Sequence, residues 1–212
     1  MSLWAIVPIK PLRRGKSRLS EILSEKEREK LNHQLFLHTI EVLKAVEAIS
    51  DILVVSRDSD VLTESREMDV RTVTENGTPE LNNALRRATL FSSAFSSEGI
   101  LIVPADLPLL TPRDVVDFLE MRTQPPMVVI APDRRLQGTN MLFTDPADLL
   151  TFSFGLDSFH KHSELAKSKD AFVAVYENEN IALDLDVPED YEILSSKTLL
   201  LYEMEPLVKG SG

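Results

Sequence analysis

The sequence of 212 residues contains no cysteine. This absence excludes disulfides, zinc sites built from thiolates, and cysteine nucleophiles. No apolar run approaches the roughly 20 residues that a membrane-spanning helix needs. The run from Leu3 to Ile9 is too short for the core of a signal peptide, and positive charge follows it instead of preceding it. We therefore expect a cytoplasmic protein without a membrane partner, in which any metal ion has oxygen or histidine ligands.

Basic residues are fewer than acidic residues: the sequence has 23 Lys and Arg and 34 Asp and Glu, which gives a net charge of −11. They are scattered except for one cluster between Lys10 and Arg18. This distribution argues against a broad nucleic-acid-binding face. A local cluster of positive charge can still hold a phosphate. The expected partner is therefore a small anionic molecule.

Short apolar segments alternate with segments of helical spacing, which is typical of parallel βαβ units with helices on both sheet faces. The length suits one domain, residues 1–212. Strands are predicted at 3–9, 52–56, 70–73, 99–103 and 127–131, and helices are predicted to begin near Glu25, Asp58, Thr78 and Thr111. The predicted fold class is α/β, with a mostly parallel, Rossmann-like sheet. Ligands of such sheets bind outside the carboxyl ends of the strands, which places the first loop and Asp106 on one rim.

The first loop carries a sequence, Gly15-Lys16-Ser17, that is similar to the end of a P-loop. A P-loop needs glycine five positions before Gly15, where Lys10 stands, and Pro11 lacks an N–H that the phosphate cradle would use. A P-loop is therefore disfavoured. The cationic side chains still suit a triphosphate, because they directly follow the first strand; a solvated basic loop is the alternative. They are Lys10, Arg13, Arg14, Lys16 and Arg18.

Two acidic segments are candidate magnesium sites. Asp106 ends an otherwise apolar strand, and Mg²⁺ often takes one or two protein carboxylates together with substrate phosphates. In Asp184-Leu185-Asp186, strand alternation would place both carboxylates on one face. The alternatives are that Asp106 caps a turn, and that Asp186 or a neighbour caps a helix beginning near Pro188.

Histidine and serine give weaker signals. His33 and His38 lie in a predicted helix, and His160 and His162 lack partners for a metal site, so structural or surface roles are expected. No G-x-S-x-G sequence is present, and Ser158 has no catalytic-triad context, so covalent hydrolysis is poorly supported.

Five segments together resemble the CofC family, the 2-phospho-L-lactate guanylyltransferases of coenzyme F420 biosynthesis. They are 8–19, 104–110, 138–140, 154–162 and 184–190. The resemblance implies a single-domain fold similar to nucleotide-diphospho-sugar transferases. It also implies that GTP and 2-phospho-L-lactate react to give lactyl-2-diphospho-5′-guanosine and pyrophosphate, with Mg²⁺, in a homodimer. Phosphoenolpyruvate or another phospho-acid as acceptor, and a non-catalytic nucleotide-sensing module, are the alternatives.

The same resemblance assigns roles to individual residues. It implies nucleotide binding by roughly residues 1–131 and acceptor binding by roughly 132–195, with 204–212 unassigned. The expected catalytic residues are Lys16, Arg18 and Asp106. The expected metal ligands are Asp106 and Asp186, and Asp184 is the alternative to Asp186. Expected nucleotide contacts are Pro8, Lys10, Lys16, Arg18, Asn82, Pro104 and Asp106, with Glu75 a weaker candidate; expected acceptor contacts are Thr139, Gly155 and Ser158.

Overall fold

The computed structural model describes residues 2–77, 80–95 and 99–197. Within these ranges seven strands form one sheet, in the order β3-β2-β1-β4-β6-β5-β7. The strands are β1 (Leu3–Ile9), β2 (Asp51–Ser56), β3 (Arg71–Thr74), β4 (Gly99–Ile102), β5 (Met127–Pro132), β6 (Thr139–Asp145) and β7 (Phe172–Val175). All pairings are parallel except those of β6, which runs antiparallel to both β4 and β5. The predicted α/β class with a mostly parallel sheet is confirmed.

The helices follow the strands as the pattern predicts. They are α1 (Glu25–Lys44), α2 (Ser59–Glu67), α3 (Leu81–Ser93), α4 (Pro112–Glu120), α5 (Ser158–Lys167), α6 (Glu179–Ala182) and α7 (Pro188–Lys197). The predicted start at Thr111 is confirmed, because Thr111 and Asp114 form a reciprocal capping box. Thr78 and Pro79 lie outside the described residues. Instead, α3 begins at Leu81, and the side chain of Glu80 accepts the first free N–H groups.

The sequence did not predict β6, and this strand departs from the parallel βαβ pattern of the others. The connection from β5 is only a short turn, residues 133–138, and a parallel crossover needs a dozen residues or more. The pairing also changes register: Ala131 pairs with Met141 and Pro132 with Thr139, so Asn140 is the extra residue of a β-bulge. A bulge redirects side chains at the end of a strand. Here the amide of Asn140 reaches Ile181 in α6, while Thr139 reaches His162 in α5.

Both faces of the sheet are buried under helices. Along β1 the side chains alternate, so that Ala5 and Val7 belong to a cluster with Phe36 and Phe118, while Ile6 faces the other layer. With its faces covered, the sheet presents only its edges and strand ends, and the carboxyl ends of β1 and β4 lie side by side. Within the described ranges, none of the helices combines the length and apolarity needed to cross a bilayer.

Candidate active site

A cleft of about 390 Å³ lies at the carboxyl ends of β1 and β4. It is bounded by the first loop, by the residues after β4, and by the segment that precedes α7. The structure therefore brings together predicted residues that are far apart in the sequence. Those that line the cleft are Pro8, Lys10, Lys16, Pro104, Asp106, Asp186 and the weaker candidate Glu75.

Lys16 is the cation at the centre of this cleft. Its side chain is 7% exposed, and its Nζ lies 3.2 Å from Asp106 Oδ2 and 3.3 Å from Asp186 Oδ1. Burial, the largest effect, acts to lower the pKa of Lys16, but the two carboxylates together outweigh it and raise that pKa above its ordinary value. The group is thus held in its charged form.

The backbone of Lys16 has a strained conformation at the position from which its ammonium reaches the two carboxylates. Its φ of 56° and ψ of 36° lie in the left-handed region, which few residues other than glycine adopt. Such strain is retained where surrounding contacts compensate for it, and it clusters at functional sites. Next to it, Gly15 packs closely: a Cβ there would stand 2.5 Å from Asn32 Nδ2, the atom that donates to the Leu12 carbonyl.

One backbone hydrogen bond and one buried side chain fix the acidic segment against the loop after β4. The Leu185 N–H donates to the Asp106 carbonyl at 3.0 Å, and the Leu185 side chain is fully buried. Asp184 and Asp186 therefore flank a buried leucine, as the alternation predicts, although residues 183–187 form no strand.

The cap at the start of α7 is Asp190. Its Oδ2 accepts the N–H groups of Asp186 and Val187, at 2.9 and 2.8 Å. Its Oδ1 accepts from Arg134 at 2.6 Å. The carboxylate of Asp186 is thereby left for Lys16 and for Arg18, whose Nη1 lies 3.7 Å away. Sequence reasoning missed Asp190; its signal was an acid at the third position of a helix that begins with Pro188.

Negative charge is concentrated around Lys16. Burial, with smaller contributions from Asp106 and Asp186, raises the pKa of Asp184 to about 6. In addition, Asp106 Oδ1 is buried without a hydrogen-bond partner among the described residues. Oxygen ligands of this kind suit Mg²⁺. Within the described chain no cluster of three or more His, Cys, Asp or Glu side chains has the arrangement of a metal site, so an ion here would take further ligands from phosphate and water.

The opposite wall of the cleft carries residues that sequence reasoning either missed or ranked low. Arg57 lies 3.2 Å from Glu75, and the Glu75 Oε1 also accepts the Glu80 N–H at 3.0 Å. Because Glu75 is thereby tied to two partners, this wall is pre-ordered. Arg57 and Glu80 had no distinguishing signal in the sequence.

Arg18 contacts Asp186 without lining the cleft. Four other predicted residues form a second group beside the cleft, namely Asn82, Thr139, Gly155 and Ser158. Asn82 donates to the Phe154 carbonyl at 3.3 Å and accepts the Phe154 N–H at 2.7 Å, which holds the segment before Gly155. Gly155 has a φ of 118°, a value that favours glycine. Thr139 on β6 and Ser158 on α5 are both buried, and neither of them lines the cleft. The link between the two groups is α3, because Leu81 and Ala84 line the cleft.

The structural roles predicted for three histidines are borne out by their contacts. His33 Nε2 lies 2.9 Å from Glu64, and His38 Nε2 lies 2.9 Å from the Leu110 carbonyl. His162 is fully buried between Thr139 and Ser153.

The chain has the fold of the nucleotidyltransferases. Its cations and carboxylates lie at the carboxyl ends of β1 and β4. A solved nucleotidyl transferase from Methanothermobacter superposes with a TM-score of 0.67 at 16% identity, covering 93% of this chain and 98% of that one. This similarity establishes the fold.

Sequence similarity defines the family. The family described as "Guanylyl transferase CofC like" matches residues 3–196, and the chain belongs to it. A phosphoenolpyruvate guanylyltransferase of Rubrobacter xylanophilus is 38% identical over 190 residues, which are 90% of this chain and 92% of that protein. A 2-phospho-L-lactate guanylyltransferase of Methanocaldococcus jannaschii is 34% identical over 190 residues, 90% of this chain and 81% of that protein. The chain is therefore an enzyme of the guanylyltransferase type, as the resemblance predicts.

Proposed function

We propose that this enzyme transfers the guanylyl group of GTP to the phosphate of a three-carbon acid that is phosphorylated at carbon 2. With 2-phospho-L-lactate, the acceptor expected from the sequence, the products are lactyl-2-diphospho-5′-guanosine and pyrophosphate. Phosphoenolpyruvate is the second candidate, because relatives such as the one from Rubrobacter xylanophilus carry its name.

The observation that carries this proposal is the position of Lys16 between Asp106 and Asp186 in a cleft that is lined by the first loop. A buried ammonium beside a strand end can contact the triphosphate, and Arg18, which is exposed next to Asp186, adds a second cation. These groups neutralise the charge that develops on the departing pyrophosphate. Lys16 is held in place by Asp106 and Asp186 before substrate arrives.

The transfer needs no general base. The acceptor phosphate is already anionic, so one of its oxygens attacks the α-phosphorus of GTP while the bond to the β-phosphate oxygen breaks and pyrophosphate leaves. The contribution of the protein is alignment of the two phosphates and stabilisation of charge. This requirement matches a cleft whose charged lining combines cations with carboxylates.

The carboxylates fit a magnesium ion. Asp106 and Asp186 would hold it, with Asp184 as the competing second ligand, and the buried, unpartnered Asp106 Oδ1 supplies a free ligand atom. When bound, the ion neutralises phosphate charge and orients phosphate oxygens. Lys16 keeps the same carboxylates paired with positive charge in the free protein.

The acceptor side is supported by the second group of residues. Thr139, Ser158 and the backbone at Gly155 offer hydroxyl and N–H donors, which suit a carboxylate or a phosphate. The two candidate acids share both anionic groups and differ in the planarity of carbon 2. Their common chemistry fits these donors equally.

The test is ³¹P NMR of the products after incubation of the protein with GTP, Mg²⁺ and each acid in turn. A new pair of diphosphate resonances together with free pyrophosphate supports the proposal, and the acid that produces them with the larger kcat/KM is the acceptor. Release of pyrophosphate without a new diphosphate would indicate hydrolysis of GTP and would contradict guanylyl transfer.

A further inference from the structure

His162 is a fully buried side chain that uses both ring nitrogens. The Ser153 backbone N–H donates to its Nε2 at 3.0 Å, and its Nδ1 lies 3.0 Å from Thr139 Oγ1. These two contacts connect the loop before α5, the helix α5 and the first residue of β6. The ring therefore joins the elements that carry Thr139 and Ser158.

The contacts define which nitrogen carries the proton. A backbone N–H can only donate, so Nε2 must be unprotonated, and a neutral ring then carries its proton on Nδ1. Burial, with a smaller contribution from Lys161, lowers the pKa of His162 to about 4, which keeps the ring neutral at physiological pH. Nδ1 consequently donates to Thr139 Oγ1.

This donation sets the direction of the Thr139 hydroxyl. Because the oxygen accepts from His162, its own proton points elsewhere, and no other hydrogen-bond partner of Thr139 Oγ1 occurs within the described residues. The hydroxyl is therefore a buried donor that has no acceptor among the described residues. Its chain neighbour Asn140 reaches Asp184 with Nδ2 at 3.5 Å.

The surroundings hold the imidazole in place. The ring of Phe154 packs edge-on against it with centroids 4.8 Å apart, and Asn82 binds both backbone groups of Phe154. Ser158 lies one helical turn before His162 on the same face of α5. The imidazole thus cannot rotate without disturbing the loop 153–155.

We propose that His162 is a positioning residue that fixes the Thr139 hydroxyl as a hydrogen-bond donor to an anionic group of the acid acceptor. This inference rests on the proposed function, in which the acceptor binds at Thr139, Gly155 and Ser158. His162 touches Thr139 and not the substrate. It acts on acceptor binding, while the nucleotide site is independent of it.

Three variants separate this role from simple packing. Thr139→Val removes the hydroxyl at constant shape. His162→Gln keeps a polar group near the position of Nε2, which can still accept the Ser153 N–H. It loses the group that donates to Thr139. His162→Asn keeps an amide near the position of Nδ1 and loses the contact with Ser153.

We expect Thr139→Val and His162→Gln each to raise the KM of the acceptor about tenfold, because the first removes the hydrogen bond to the charged acceptor and the second releases the hydroxyl that donates it. The KM of GTP should stay within about twofold, and the double variant should resemble either single variant, because both changes remove one interaction. His162→Asn should retain a lower acceptor KM than His162→Gln. An unchanged acceptor KM in His162→Gln, multiplicative effects in the double variant, or equal loss in the Gln and Asn variants would overturn the proposal.

A second readout does not depend on turnover. ¹⁵N NMR of histidine-labelled wild-type protein at pH 7 should show His162 neutral with its proton on Nδ1, and Thr139→Val should shift the Nδ1 resonance. A proton on Nε2, or a charged ring, would overturn the inference even if the enzyme is active. If the wild type turns over neither acid, the proposed function fails, while this measurement still decides the tautomer.

Discussion

The Lys16 ammonium lies 3.2 Å from Asp106 Oδ2, across 90 positions of sequence, and joins the loop after β1 to the end of β4. It shares its charge with Asp186, which lies in the last third of the chain. One buried cation is thus balanced by two carboxylates from distant parts of the chain. Variants of these residues test that balance directly.

Replacement of Lys16 by Met should reduce turnover by at least about 100-fold, because a preorganised charge at the transferring phosphates is lost. The free energy of unfolding should fall by about 1–2 kcal/mol, less than for a fully buried pair because Asp186 is 47% exposed. Urea denaturation measures this loss. In this variant Mg²⁺ should raise Tm more than it does in the wild type, since the carboxylates lack their counter-charge. If Mg²⁺ raised Tm equally in the variant and in the wild type, the ion would bind at another site.

Replacement of Asp106 by Asn should lower kcat by at least about 1,000-fold while the fold remains intact, because the charge that neutralises Lys16 and accepts a metal ion is removed. Steady-state kinetics and circular dichroism test this expectation. Asp148→Asn is the matched control: Asp148 is exposed and follows β6, which ends at the opposite rim of the sheet because it is antiparallel. Near-normal activity of Asp106→Asn would contradict its assigned role.

Asp190 and Glu189 form a second matched pair. Asp190→Asn weakens three charge-assisted contacts of a buried carboxylate, so we expect a loss of about 1–3 kcal/mol in the free energy of unfolding and a lower kcat, because Asp186 loses its support. Glu189 is 73% exposed, and Glu189→Gln should change stability by less than about 0.5 kcal/mol. Similar effects of the two substitutions would show that Asp190 does not position Asp186.

The resemblance implies that Asn82 contacts the nucleotide, whereas its amide is bound to the Phe154 backbone in the structure. Asn82→Ala should therefore raise the KM of the acid acceptor about tenfold, with little change in the KM of GTP, because the loop before Gly155 is released. Kinetics with each substrate varied at saturating concentrations of the other decide between the roles. A rise confined to GTP would support contact with the base.

Local signals in the sequence are sufficient to predict the strands and helices of the first half of the fold. The alternation of apolar strands with capped helices places β1, β2 and β4 in a parallel sheet, and the strand ends then place Asp106 on the same rim as the first loop. The start of α4 at Thr111-Pro112 was readable because a capping box and a helix-starting proline act through neighbouring residues only.

The second half depends on contacts between distant residues. The bulge at Asn140 arises from the register of β5 against β6, which no local pattern encodes. For the same reason the sequence showed Thr139 and His162 only as isolated residues, 23 positions apart. The left-handed conformation of Lys16 was also unpredictable, because tertiary contacts, and not residue preference, maintain it.

The most direct test of guanylyl transfer is pyrophosphate release measured with Mg²⁺, each of the four common nucleoside triphosphates, and either 2-phospho-L-lactate or phosphoenolpyruvate. The account predicts release with GTP and at least one of these acids, and background release with ATP, CTP and UTP. Background release with GTP and both acids, or equal release with another nucleotide, would contradict it.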